Sequence, residues 1–240
     1  MEMIYREQML VPNVATDCFG RMKLSWLLGC VQDVAGAHSA ILGVNKMEYN
    51  GHALFWAVTR HRVQITRLPK ARDRITLETW PCPTTRVAYP RACVAYDEDG
   101  NELFRTVSLW VLMDMEDRSM VLPGKSGILV NGITRGPELV LPPSVPPLTS
   151  ENTTVRTVNY TELDVNGHMN NTQYLNWVDD LQSSDFHRTH TPREFIICYL
   201  NEAREGQQVQ LCWQLDQELR VDARLQEENG HRIFGAKLIY

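Results

Sequence analysis

The chain has 240 residues, of which 43% are hydrophobic and 22% charged, and its formal net charge is −5. This composition is typical of a soluble globular protein with one large domain or two small ones, and the negative charge argues against a nucleic-acid binder. No apolar run approaches the roughly 20 residues that a membrane span needs.

The first predicted helix follows a short strand and a loop. Its apolar residues recur at i, i+3, i+4 and i+7, which is typical of the buried stripe of an amphipathic helix. They are Leu24, Leu27, Leu28, Val31, Val34 and Ala35. Gly43 fits the end of this helix, because glycine accepts the left-handed conformation found there.

Alternating, β-rich segments follow the helix. The pattern predicts strands at Leu54–Thr66, Ile75–Trp80, Val87–Tyr96 and Leu103–Met113,. The sequence "DEDGN" between the last two predicts a hairpin turn, since Asp-Gly accepts the positive φ that such turns need.

A proline-rich segment divides the chain. Six of the twelve prolines lie between Pro123 and Pro147. Such a segment is a poor helix or central strand, so it predicts a linker over residues 123–148 that crosses the surface. The flanking domains would be residues 1–122 and 149–240.

The second half repeats the pattern of the first. "DCFGRMKLSWLLGCVQD" aligns with "DVNGHMNNTQYLNWVDD", with six identical positions. These are Asp17/Asp164, Gly20/Gly167, Met22/Met169, Leu28/Leu175, Val31/Val178 and Asp33/Asp180. Strand segments match in the same order, so we infer an internal duplication.

The second copy predicts the same elements. Its helix carries the apolar face Tyr174, Leu175, Val178 and Leu181. Its strands are predicted at Phe195–Leu200, Val209–Leu215, Arg220–Gln226 and Ile233–Tyr240, with "EENGH" as a hairpin turn,. One helix followed by antiparallel strands, twice, indicates an α+β protein in which a sheet wraps around each helix.

The segment "LDVNGHMNN", from Leu163 to Asn171, is more polar than a helix start requires. Asn170, Asn171 or Thr172 alone could cap the helix, which leaves other polar groups unexplained. Those groups are Asp164, Asn166 and His168, where the first copy has Asp17, Phe19 and Arg21. The excess is specific to one half, which favours a chemical role.

The geometry expected for this segment also favours a site. In an extended strand, Asp164, Asn166 and His168 would point the same way. The N–H groups at the start of the following helix could then help to hold an oxyanion.

This segment, "LDVNGHMNNTQYLNWV", resembles the D-x-N-x-H-x-N-N core of the acyl-acyl-carrier-protein thioesterases of plant plastids and bacteria. "FWAVTRHRVQITRLPKARDRITLETW" and "SLWVLMD" resemble the first half of the same family. The resemblance implies two tandem hotdog domains, each an antiparallel sheet wrapped around one helix. The first would hold the acyl chain, through Trp26, Leu28, Val31 and Trp56, and the second the catalytic residues.

The resemblance also implies a catalytic set. Asp164, Asn166 and His168 match family positions, and Glu202 matches a fourth. Ala203 stands where many plant members have a cysteine, so a Cys–His pair cannot operate through that position. Glu202 or Asp164 would activate water or attack directly, while His168 and Asn166 orient the thioester and stabilise the oxyanion.

The implied function is hydrolysis of fatty acyl-acyl-carrier-protein, which releases a free fatty acid and ends chain elongation. Two alternatives stay open: an acyl-CoA thioesterase, and a hotdog protein that binds acyl groups without hydrolysing them. Faster thiol release from the carrier protein than from coenzyme A would favour the first reading.

A basic run from Arg60 to Arg74 contrasts with the acidic chain. It holds six Lys or Arg residues and one Asp. As a docking surface for acidic acyl carrier protein it would use Arg62, Arg67, Lys70, Arg72 and Arg74. An ordinary solvated face is the equally open alternative.

No cofactor or metal is expected. His187 and His190 have H-x-x-H spacing, but no carboxylate or thiol lies at a useful distance in the sequence. The six cysteines form no C-x-x-C pair and read as reduced thiols,. Without a secretory signal or a transit peptide, the predicted location is the cytoplasm, with no nucleic-acid or membrane partner. Monomer and homodimer both remain possible.

Overall fold

The protein is represented by a computed structural model that describes residues 3–45, 47–128, 130–135, 140–227 and 230–240. No helix within these ranges is long and apolar enough to cross a membrane.

The described residues of the first half form one long helix and seven strands. In chain order they are β1 (Tyr5–Leu10), α1 (Leu24–Ile41), β2 (Met47–Tyr49), β3 (His52–Ile65), β4 (Arg74–Pro81), β5 (Tyr89–Tyr96), β6 (Glu102–Asp114) and β7 (Met120–Val121). The predicted apolar stripe of α1 is buried, and Gly43 lies just past its end with a φ of 71°.

The second half repeats this order with shorter helices. A helical turn, α2 (Pro123–Ser126), precedes β8 (Thr153–Thr157), α3 (Tyr174–Asp179), α4 (Ser184–Thr189), β9 (Glu194–Tyr199), β10 (Gln208–Leu215), β11 (Glu218–Leu225) and β12 (Arg232–Ile239). Tyr174, Leu175 and Val178 are buried as predicted, but α3 ends at Asp179, before Leu181.

The strands of both halves form one antiparallel sheet. Its main path runs β1-β4-β5-β6-β3-β9-β12-β11-β10-β8, while β2 pairs with β3 and β7 with β6. The halves join where β3 pairs with β9, from Arg60 opposite Cys198 to Gln64 opposite Glu194. In this pairing Arg62 lies opposite Ile196, and Gln64 lies opposite Glu194. A salt bridge of 3.0 Å links Arg62 to Glu194 across the joint.

One hydrophobic core serves both halves. It includes Leu28 of α1, Val178 of α3, Phe104 of β6 and Phe234 of β12, each at most 1% exposed. The two helices contact each other, because the Ser25 hydroxyl donates to Asn176 Oδ1 at 2.7 Å. The prediction of an α+β protein with two tandem hotdog domains is confirmed.

The eight strands predicted by residue range are all present, with ends within two residues of the prediction. The "DEDGN" turn is also confirmed, with Asp97 N–H donating to Asn101 O and Gly100 at a φ of 81°. In the "EENGH" turn, Glu228 and Asn229 lie outside the described residues.

The linker is bound to both halves. Its first residues form α2, so the prediction of no helix in this segment was wrong for one turn. Arg135 contacts the buried carboxylate of Glu78 at 2.6 Å. Further along, Val145 N–H donates to Cys198 Sγ, and the Arg232 guanidinium donates to Val145 O. Residues 129 and 136–139 of the predicted linker lie outside the described residues.

Candidate active site

The polar segment of the second half forms a tight turn. Asp164 Oδ1 accepts the backbone N–H groups of Asn166, at 2.8 Å, and of His168, at 3.2 Å. Gly167 takes a φ of 74°, which favours glycine,. The expectation of an extended strand was therefore wrong: a turn, not strand alternation, sets the side-chain directions here.

The first half contains the same turn. Asp17 Oδ1 accepts the N–H groups of Phe19, at 2.8 Å, and of Arg21, at 2.9 Å, and Gly20 has a φ of 73°. The shared hydrogen bonds explain why an aspartate and a glycine occur in both copies. The two aligned segments therefore share the same local structure.

The residue before α3 is Gln173, whose side chain makes no capping hydrogen bond, so the prediction that Asn170, Asn171 or Thr172 caps this helix was wrong. Asn170 instead holds the turn before the helix. Its Oδ1 accepts both the N–H and the hydroxyl of Thr172, at 3.0 and 2.9 Å. Asn171 has a different partner, because its Oδ1 accepts from Gln32 Nε2 of α1 at 2.8 Å. The end of the polar segment is thus fixed to the first-half helix.

His168 and Glu202 meet beside this turn. Met169 N–H donates to Ala203 O at 2.8 Å, and His168 pairs with Arg204 as a short antiparallel bridge. These contacts place His168 Nε2 3.3 Å from Glu202 Oε2. The histidine side chain is 15% exposed and the glutamate 47%, so the pair is reachable from solvent.

The equivalent place in the first half carries no such pair. Met22 N–H donates to Pro69 O at 2.7 Å, and Arg21 bridges to Lys70. By these matching contacts Pro69 corresponds to Ala203, and Leu68 therefore corresponds to Glu202. The same backbone frame thus places Arg21 and the buried Leu68 where the second half has His168 and Glu202.

Arg118 is a site residue that the sequence did not predict. It lies in the turn between β6 and β7, in the first half, and its guanidinium donates to Glu202 Oε1. It also lies over the Phe55 ring, 4.8 Å from the centroid,. Glu202 is therefore held by one group from each half, and nothing in the spacing of Arg118 along the chain indicated this.

Asn166 completes the predicted set. Its side-chain amide lies 3.4 Å from Asp164 Oδ2, and the residue is exposed. The structure therefore brings the four predicted residues into one place, but in two layers. Asp164 holds the turn, while Asn166, His168 and Glu202 present polar groups at its surface.

The residues predicted for the acyl pocket occupy different environments. Leu28 and Val31 are buried in the shared core, and Trp26 is 38% exposed on α1. Trp56 lines a cavity of about 160 Å³ between α1 and the first-half strands. Other residues around this cavity include Gln32, Ala35, Ser39, Arg91 and Trp110.

The predicted docking cations are partly neutralised. Arg62 is paired with Glu194, Arg67 lies 3.2 Å from Asp73, and Arg74 lies 3.9 Å from Glu98. Lys70 and Arg72 are exposed, and within the described parts of the chain neither forms a salt bridge. Of the five predicted docking cations, these two therefore remain available to an acidic partner.

The H-x-x-H pair is part of a structural cluster. His187 Nε2 lies 2.8 Å from Asp179 O, and the His190 ring stacks on Phe186 with 4.1 Å between centroids. Across the described ranges, no group of three or more His, Cys, Asp or Glu residues could hold a metal ion.

Both halves match family models of known proteins. Residues 2–122 match the acyl-ACP thioesterase N-terminal domain, and residues 147–239 match the C-terminal domain of the same family. Fold and site together define the class of this protein as a double hotdog with a His–Glu pair in the second domain. The chain belongs to the acyl-ACP thioesterase family.

Individual relatives are distant in sequence. The chain is 23% identical over 229 residues to the chloroplastic oleoyl-acyl carrier protein thioesterase of Coriandrum sativum, which covers 83% of this chain and 59% of that protein. It is 24% identical over 187 residues to the dodecanoyl-[acyl-carrier-protein] hydrolase of Cinnamomum camphora. That match covers 72% of this chain and 49% of the hydrolase. The chain therefore spans less than two thirds of these relatives.

Solved structures show the same fold over the whole chain. An acyl-ACP thioesterase from Bacteroides thetaiotaomicron superimposes with a TM-score of 0.86 at 22% identity, covering 98% of this chain and 97% of that one. The 12:0-ACP thioesterase from Umbellularia californica gives 0.81 at 18% identity, with 100% and 97% coverage.

Proposed function

We propose that this protein hydrolyses the thioester of fatty acyl-acyl-carrier-protein, releasing a free fatty acid and the carrier thiol. The observation that supports this proposal is the His168–Glu202 pair, 3.3 Å apart, in the half that matches the family's C-terminal domain. The resemblance in sequence implied that the catalytic residues lie in this half. The equivalent positions of the first half hold Arg21 and Leu68, which could not act as an acid–base pair.

Glu202 is the better base of the two carboxylates. Asp164 uses Oδ1 to accept two backbone N–H groups, as Asp17 does in the half without the pair. Glu202 has its carboxylate beside His168 and Arg118, with nearly half of the side chain exposed. In the proposed step, Glu202 takes a proton from the attacking water, and the water oxygen bonds to the thioester carbon.

The remaining polar groups serve the developing charge. The Asn166 amide and the His168 imidazole lie on the same turn and can donate to the carbonyl oxygen as it becomes an oxyanion. Collapse of that intermediate breaks the carbon–sulfur bond, and the leaving thiolate receives the proton that Glu202 holds. Arg118 keeps the Glu202 carboxylate in position through the contact between the two halves.

The test is the release of carrier thiol by purified protein. Glu202→Gln keeps the shape of the side chain but removes the base, so we expect kcat to fall about 10²- to 10⁴-fold with an unchanged circular dichroism melt. Glu205→Gln, an exposed carboxylate three residues further along the same loop, is the matched control and should retain kcat. Equal turnover of the two variants would remove Glu202 from the mechanism.

The identity of the carrier needs a separate comparison. We propose that Lys70 and Arg72 attract acidic acyl carrier protein, since their charges are free of salt bridges in the described structure. The double reversal Lys70→Glu/Arg72→Glu should raise KM for the carrier-bound substrate and reduce its dependence on salt. Arg204→Glu is the matched charge reversal in the second half, because Arg204 corresponds to Lys70 and lies two residues after Glu202.

Coenzyme A provides the counter-test. With the same acyl group, faster release from the carrier protein than from coenzyme A supports the proposal. Equal or faster release from coenzyme A would make the protein an acyl-CoA thioesterase. No release from either substrate, over several chain lengths, would favour a protein that only binds acyl groups.

A further inference from the structure

The cavity of the first half is connected to the polar segment of the second half through one of its lining residues. Gln32 lies at its wall and donates to Asn171, which is three residues past His168. Trp56 and Trp110 form an apolar part of the wall. A chain attached to a thioester at the site could therefore enter between α1 and the sheet.

A positive charge lines this apolar cavity. Arg91 of β5 is 8% exposed and is one of the lining residues. Its guanidinium lies 3.1 Å from His38 Nδ1, 3.3 Å from Thr79 Oγ1 and 3.4 Å from Ser39 Oγ. Two of these contacts are long for hydrogen bonds, and none of the three partners is a carboxylate.

Several other shielded arginines of the chain have carboxylate partners. Arg62 pairs with Glu194, Arg105 with Glu102, and Arg232 with the fully buried Asp222. For Arg91, no salt bridge to an acid is formed within the described residues. Burial lowers the pKa of Arg91 to about 10, which still leaves the guanidinium protonated at neutral pH.

Burying a cation without an anion is costly, because the protein interior replaces the water that solvated the charge. A guanidinium has five N–H donors in a planar fork that matches a carboxylate in two places. The cavity is smaller than the roughly 300–1,000 Å³ of pockets for drug-sized ligands, so in this form it suits a short chain,.

We propose that the cavity receives the acyl chain and that Arg91 binds a carboxylate at the chain's far end. The preferred substrates would then be carrier thioesters of short dicarboxylic acids, attached through one of their two carboxyl groups. This inference rests on the proposed thioesterase activity and narrows its substrate class.

Binding can be measured without hydrolysis. Amide-linked pantetheine analogues would carry four, six or eight methylene groups and end in a carboxylate. Each has a counterpart in which two methyl groups replace the two carboxylate oxygens, so shape is kept and charge is removed. Isothermal titration calorimetry on the wild type should show about 10- to 100-fold tighter binding of the carboxylate form at the best length.

Substitution of Arg91 identifies the group responsible. Arg91→Met should abolish the preference for the carboxylate form or reverse it. Arg91→Lys keeps the positive charge and should retain part of the preference. It serves as the test if the methionine variant folds poorly. Val44→Ala is the matched control, because it changes the cavity wall without changing its charge. It should leave the ratio of the two affinities unchanged.

The outcomes separate this inference from the proposed activity. If the wild type favours the methyl-ended analogues at every length, or if Arg91→Met leaves the ratio intact, Arg91 does not select a carboxylate. Hydrolysis of methyl-ended acyl-carrier-protein substrates would then still support the thioesterase. A carboxylate preference in binding, with no hydrolysis of either form, would support the cavity assignment and contradict the activity.

Discussion

At the scale of single residues, the two carboxylates of the site differ in their partners. Asp164 and Asp17 make the same pair of backbone contacts in turns of the same shape. Glu202 has no charged counterpart in the first half, where Leu68 is buried at the equivalent position. An interaction found in both halves serves the fold, and one found in a single half is available for chemistry.

Substitution of Asp164 tests this division. Asp164→Asn keeps an oxygen that can accept the two N–H groups, so we expect kcat within about tenfold of the wild type, far above that of Glu202→Gln. Asp164→Ala and Asp17→Ala should each destabilise the protein by about 1–3 kcal/mol, measured by urea unfolding. A loss in Asp164→Asn as large as in Glu202→Gln would place the base at Asp164.

His52 should make the stability of the protein depend on pH. A hydrogen bond to Asp114 is the main cause that raises the pKa of His52 above 6.5, and Asp114 also holds the turn that carries Arg118 by accepting the Glu116 N–H. A raised histidine pKa contributes stability below pH 6.5, and this contribution is lost as the pH rises through the folded-state pKa.

The comparison is between wild type and His52→Gln. The wild type should gain stability over the variant at pH 5.5, and the gain should shrink by pH 9. The hydrogen bond from the backbone N–H of Glu116 is the main cause that lowers the pKa of Asp114 below 3.8. Asp114 therefore stays ionised across this pH range. His231→Gln, at an exposed position, controls for loss of a histidine. A stability difference independent of pH would contradict the prediction.

At the scale of elements, local patterns were sufficient for the strands but not for the contacts between segments. Alternation located the strands because one face of each is buried in the shared core,. It could not show that Arg118 reaches Glu202, since these residues are 84 positions apart and meet only through the pairing of β3 with β9. The placement of Arg91 likewise depends on the packing of α1 over β5.

The linker was predicted by composition, and its attachment was not. Gly132 passes so close to the first half that a Cβ there would lie 2.0 Å from Cys82 O. The next residue, Ile133, donates its N–H to Pro81 O at 2.9 Å. Only glycine allows this approach, so the linker is a packed part of the first domain at this point.

Gly132→Ala should therefore destabilise the protein by about 1–3 kcal/mol, because the linker must move away and lose the Ile133 contact. Gly124→Ala is the matched change within the same segment, since nothing lies within 4 Å of its added Cβ. It should have little effect or stabilise α2 slightly. Equal melting temperatures for the two variants, by differential scanning calorimetry, would show that the linker is loosely attached.

At the scale of the whole molecule, the two domains behave as one structural unit. The two halves repeat one pattern of elements, but β3 and β9 join their strands into one sheet. Core residues of both halves form one cluster, and the site itself needs Arg118 from one half and Glu202 from the other. Separation of the domains would expose the shared apolar surface and divide the site.

We therefore expect a single unfolding transition. Ile197→Ala in β9 and Leu77→Ala in β4 each remove a side chain that is at most 1% exposed, which typically costs 2–5 kcal/mol,. Each should move the whole transition, by about 2–4 °C in Tm for every kcal/mol. The measurement is calorimetry together with tryptophan fluorescence, because four of the six tryptophans lie in the first half and two in the second.

In a two-unit protein, Ile197→Ala would instead split the profile and leave a transition at the wild-type temperature. Coincident curves in both variants would mean that the halves, although copies of one unit, fold only together, because neither can bury its side of the β3–β9 joint alone.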